Sequence, residues 1–133
     1  MTAKSFTVRP EPNTPQAWIE RAASSLALAK MRGPGIDLED LCYQAQQAAE
    51  KALKAVFLAK GARFPLTHNL ELLLQELEEA GVEIPESVDR VSKLSRYAVE
   101  TRYPGFFDPV TESDFLETID LAEATVEWAR KQL

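Results

Sequence analysis

Glycine and proline divide this chain into separate stretches, and within each stretch the apolar residues recur at the spacing of a helix. The stops fall at Pro10 to Pro15, Gly33-Pro34-Gly35, Gly61, Gly81 to Pro85 and Pro104 to Pro109. Such residues end regular structure because proline lacks the amide proton and glycine is free to turn the chain. Five segments remain between them. No segment shows the sustained alternation of a strand.

The first segment opens on Thr14-Pro15, a cap followed by proline at the first helical position, and Trp18, Ala22, Leu26 and Ala29 follow at helical spacing. Helix 1 is predicted to end near Met31. The second begins at Asp37, whose carboxylate is expected to accept from the first-turn amides, and places Leu41, Ala45, Ala48, Ala49, Ala52, Val56 and Phe57 on one face. At about 23 residues, or roughly 35 Å, it is the longest element. Its alanines leave room for a partner backbone to approach, as suits a central helix.

Thr67 is the predicted cap of the third helix, with Leu70, Leu73, Leu74 and Leu77 as its apolar stripe and Gly81 as its stop. The fourth is read from Glu86 to near Arg102 on the 3.6-residue recurrence of Val88, Val91, Leu94, Ala98 and Val99, ending before Pro104. Thr111-Glu112-Ser113-Asp114 forms a capping box with aspartate in place of glutamate, and opens a fifth helix through Phe115, Ile119, Ala122, Val126 and Ala129. One apolar stripe per helix and short connections predict an all-α, up-and-down bundle of about five helices. The whole chain, 1–133, is read as one domain, with residues 1–13 a flexible N-terminal segment.

The 133 residues suffice for one core, and 45% apolar against 27% charged residues is a globular composition. A net charge of −6 disfavours a general phosphate-coating role. Cys42 is the single cysteine, which excludes an internal disulfide and multi-cysteine zinc sites and suits a reducing compartment. Without a signal-like or membrane-length apolar run, the cytoplasm is expected. Neither a Glu-x-x-His pair nor a phosphate loop nor a Ser-His-Asp set is present, so no metal and no cofactor are expected.

The stretch Cys42-Tyr43-Gln44-Ala45-Gln46-Gln47-Ala48-Ala49-Glu50-Lys51-Ala52-Leu53-Lys54-Ala55 resembles the long second helix of HEPN domains. Gly61, then Thr67-His68-Asn69-Leu70, then Arg102-Tyr103-Pro104 follow in the family's order. The resemblance implies a short helical bundle, a homodimer, and pairing with a minimal nucleotidyltransferase in a toxin–antitoxin arrangement. It also implies a nucleotide or RNA as possible ligand and, from the partner, AMP modification of a tyrosine, for which Tyr103 is the candidate.

The ribonuclease branch of that family carries an arginine followed four to six residues later by a histidine, to stabilise phosphate charge and to move a proton. Here Arg96 and Arg102 have no such histidine, because His68 is the only one in the chain. Arg63 stands five residues before His68, yet in the loop before helix 3 rather than the later helical region. The reading therefore leans away from an enzyme and assigns no catalytic residue. Its rival is an endoribonuclease toxin using Arg102 with His68 as an unusual base.

Arg96, Arg102, Tyr103 and His68 are the expected residues for binding a nucleotide or partner. Guanidinium groups are fork-shaped anion donors and tyrosine offers a flat face. Residues 87–103 carry Arg90, Lys93, Arg96 and Arg102 against Asp89 and Glu100, a local excess of positive charge. The bland alternatives are a solvated helix face with an Arg96–Glu100 pair, and a His68 that orients its loop by bonding a carbonyl or carboxylate.

Overall fold

The computed structural model describes residues 12–100, 104–105 and 107–133. It is all-α: α1 (Pro15–Ala29), α2 (Leu38–Ala59), α3 (Leu70–Glu79), α4 (Glu86–Asp89), a 3₁₀ segment (Arg90–Arg96), α5 (Tyr97–Glu100) and α6 (Glu112–Gln132). No helix among the described residues is long and apolar enough to cross a membrane.

Helix α2 is the centre of the bundle, and 13 of its 22 residues are buried. Ala45, Ala48, Ala49, Ala52 and Ala55 are fully enclosed, so α1 and α6 approach its backbone closely. The bulk comes from Ile19 of α1, Leu70, Leu73, Leu74 and Leu77 of α3, and Phe115, Leu121 and Val126 of α6. Helices α2 and α6 start at the same end, where Glu39 accepts from the Val110 amide at 3.1 Å. At that end Arg32, just beyond α1, grips Glu112 through two bonds of 2.6 and 2.7 Å and lies over the Phe115 ring.

Local chemistry sets the ends. Thr14 accepts from the Ala17 amide, and Thr111 and Asp114 form the reciprocal capping box. At Gly61 and Gly81 positive φ values of 71° and 91° close α2 and α3. In each, the next amide reaches back to the helix, Ala62 to the Phe57 carbonyl at 2.9 Å and Val82 to that of Leu77 at 3.0 Å.

Four expectations are corrected. Asn69, not Thr67, caps α3, its side chain accepting from the Leu72 amide, while Thr67 accepts from the amide of Asn69. Asp37 stands at the cap position of α2 without a side-chain bond; its carbonyl takes the Asp40 and Leu41 amides. The fourth helix is not one continuous α-helix. Val88, Val91, Leu94 and Tyr97 are all buried at intervals of three, the spacing that stacks side chains on one face of a 3₁₀ helix. Val99, read as part of the apolar stripe, is exposed.

Candidate functional site

Gln46, Glu50 and Lys54 follow one another at intervals of four along α2 and form one stripe that turns away from its alanine face. All three are buried, which is costly for the two charges unless they are paired. Lys54 Nζ donates to Glu50 Oε2 at 2.8 Å, and Gln46 Nε2 donates to Glu50 Oε1 at 3.1 Å. Gln47 Nε2 donates in turn to Gln46 Oε1 at 2.7 Å.

The loop between α2 and α3 closes this stripe. His68 Nδ1 lies 2.9 Å from Glu50 Oε1, and Gln46 Nε2 also reaches the His68 carbonyl at 3.4 Å. Phe64 from the same loop meets Trp18 of α1 edge-on, ring centres 5.2 Å apart. Lys54 Nζ sits 5.7 Å from the Trp18 ring and 5.0 Å from the Phe64 ring, so its charge is shared between a carboxylate and two aromatic faces. Burial pushes the Glu50 carboxyl up, but bonds from Lys54, His68 and Gln46 outweigh it and hold the group below its ordinary value.

The His68 side chain is 64% exposed, whereas that of Glu50 is 5% exposed. With Nδ1 turned to the carboxylate, Nε2 has no partner among the described residues. A carboxylate-oriented imidazole with one free nitrogen is chemically fit to accept and return a proton.

The remaining expected site residues lie elsewhere. Arg96 Nε and Nη2 donate to Glu100 at 2.6 and 3.1 Å, and its guanidinium covers the Tyr97 ring at 5.0 Å. The Glu100 bond holds Arg96 firmly charged, above its ordinary value. Arg90 and Lys93 face Glu117 at 3.6 and 3.4 Å. Much of the positive excess on this segment is thus already answered within the fold. Arg63 is exposed and makes no ion pair among the described residues. Arg102 and Tyr103 lie outside the described residues.

Beside Pro104 lies a cavity of about 410 Å³, between the start of α2 and the segment leading to α6. Asp37, Glu39, Asp40, Glu100 and Asp108 line it with Tyr97 and Phe107, and no basic residue is among its described walls. Its potential is negative. No group of three or more His, Cys, Asp or Glu side chains among the described residues is placed to hold a metal ion.

The family model of the HEPN domain matches residues 15–132, a span that includes all six described α-helices and the loop that carries His68. The chain belongs to the HEPN domain family. The crystal structure of an archaeal HEPN homologue is 26% identical, with a TM-score of 0.71 over 90% of this chain and 97% of that one. No curated protein matches the chain. The expected fold and family of this HEPN protein are therefore observed.

Within the HEPN bundle, Glu50, Lys54 and Gln46 were not among the expected site residues, although His68 was. A signal was present: Glu50 and Lys54 stand four apart in the alanine-rich middle of α2, among Ala48, Ala49, Ala52 and Ala55. Charges four apart in such a helix are either a solvated edge or a paired, buried set. Only the loop carrying Phe64 and His68, folding back over them, decides between the two.

Proposed function

We propose that this HEPN protein is a dimeric interaction and regulatory module, the partner of a minimal nucleotidyltransferase in a toxin–antitoxin pair, acting in the cytoplasm. The observation that carries this reading is the acidic lining of the cavity beside Pro104. Five carboxylates around Pro104, the last residue of the Arg102-Tyr103-Pro104 motif in sequence, repel an RNA backbone and favour a basic protein surface. In this reading Tyr103 receives the AMP group, and Arg102 and Arg96 contact the partner or its nucleotide. Exposed Val99, Phe107 and Leu116 supply apolar surface for protein contacts.

Co-expression with a nucleotidyltransferase encoded beside the gene is the test. A stable complex, and a mass increase of one AMP lost in Tyr103→Phe, is the expected result; separate elution of the two proteins overturns the reading. A nucleotide bound by the HEPN protein itself raises the melting temperature by mass action, and no shift at millimolar ATP removes that part.

A second reading, a metal-independent endoribonuclease, is favoured by one observation: the 2.9 Å contact between His68 and Glu50. It gives His68 the orientation of a general base and Arg102 the role of phosphate ligand. Cleavage of total RNA by the purified protein, abolished in both Arg102→Ala and His68→Ala, would establish it. Equal or absent cleavage by the variants and the parent ends it.

A further inference from the structure

Helix α1 and the middle of α2 form a second cavity, of about 280 Å³, which none of the sequence-expected site residues lines. Its walls among the described residues are Pro12, Asn13, Ala17, Trp18, Arg21 and Lys51. Two of these six are cations and none is an anion, in a protein of net charge −6.

Neither cation is neutralised by a carboxylate among the described residues. Arg21 has no hydrogen bond or ion pair among the described residues. Lys51 Nζ donates to the neutral Ser25 Oγ at 2.9 Å. The nearest carboxylate along α2, Glu50, is already committed to Lys54, His68 and Gln46. Burial, and then the charges of Arg21 and Lys54, hold Lys51 below its ordinary value against the opposing pull of Glu50. Two like charges brought together beside a cavity repel one another, and an anion placed between them relieves that repulsion.

Apart from Asn13, the rest of the described wall is apolar: Pro12, Ala17 and Trp18. Trp18 is half-buried, with its ring fixed edge-on against Phe64 and beside Lys54. A ring fixed in that way offers a flat surface without a large ordering cost on binding. Asn13, in the left-handed region at φ 59°, adds a polar side chain to the lining.

We infer that this cavity binds a small organic anion, a phosphate or carboxylate group held by Arg21 and Lys51 on an apolar or aromatic body lying against Trp18. The volume suits a ligand of a single ring with its acidic group. The site goes beyond the partner-binding reading and shares no residue with it, so either can fail without the other.

Trp18 is one of two tryptophans, and Trp128→Phe isolates its emission in the full-length chain. In that background phenyl phosphate and benzoate are titrated, with inorganic phosphate and benzylammonium as contrasts. A saturable change in Trp18 emission with one or both aromatic anions is expected, the stronger of the two naming the acidic group. Arg21→Gln and Lys51→Gln each weaken it about ten-fold or more. Arg21 is exposed, so its variant keeps the test sound if Lys51→Gln disturbs the fold. The inference is overturned by no saturable change, by unaltered affinity in Arg21→Gln, or by equal binding of benzylammonium. Inorganic phosphate binding as tightly as phenyl phosphate overturns the role given to Trp18.

Discussion

Glu50 holds the ring of His68 from inside the bundle: Oε1 lies 2.9 Å from Nδ1, with the carboxylate buried and the imidazole at the surface. The same carboxylate takes the Lys54 ammonium on its other oxygen. One buried charge therefore ties α2, the loop before α3 and, through the Lys54–Trp18 contact, α1. Removing a single partner from such a set costs more than removing both, because the survivor is left buried and uncompensated.

Glu50→Gln is expected to destabilise the protein by about 3 kcal/mol, the range found when one member of a buried ion pair is lost. The double variant Glu50→Gln/Lys54→Met, which removes both charges, is expected to lose clearly less than the sum of the single changes. Urea unfolding of the parent, both single variants and the double variant measures the coupling. Simple additivity would show that the pair contributes nothing as a pair.

The acid limb of stability follows from the same group. Glu50 and Asp114 have folded values below their unfolded ones, Glu50 because its three donors outweigh burial and Asp114 because it accepts from the Thr111 amide and hydroxyl. Their stabilisation is complete above the ordinary carboxylate range and is lost as pH falls from that range through the depressed folded values. Melting temperature is expected to drop below about pH 4.5, near the usual glutamate value. In Glu50→Gln that drop is expected to be shallower, and an identical slope would assign it to other carboxylates.

Much of the fold was legible in the pattern of stops and stripes, because Gly61, Gly81, Thr14 and the Thr111–Asp114 box each act through their own neighbours. The segment 86–100 was not, since Val88, Val91, Leu94 and Tyr97 fit a period of three as well as one of 3.6 until Tyr97 is seen to be buried. The site was legible only in part. His68 could be singled out as the one histidine, but its partner Glu50 is 18 residues away and meets it only after the loop folds back. Arg96 shows the converse, for its partner Glu100 lies one turn on and local spacing predicted the pair.

The glycine after α3 gives a purely conformational prediction. Gly81 has φ 91°, and a Cβ built there meets nothing within 4 Å, so alanine brings backbone strain without a clash. Gly81→Ala is expected to cost about 1–2 kcal/mol, the penalty of a left-handed conformation for a residue with a side chain. Thermal or urea unfolding checks it. No loss would mean that the Val82-to-Leu77 closure has been exchanged for another turn.

Cys42 faces the interior between α2 and α6, fully buried, and burial pushes its thiol up to about 11 despite bonds with Thr118 and Tyr97. Since the thiolate is the nucleophile, almost none is present at pH 8, and no reagent reaches it in the folded state. Ellman's reagent is therefore expected to label the native protein very slowly at pH 8 and one thiol per chain promptly in denaturant. The native labelling rate should then rise in Glu50→Gln, because loss of the buried pair lowers the free energy of the openings that admit the reagent. A fast native reaction, unchanged by denaturant, would place Cys42 at the surface and contradict the packing of α6 on α2.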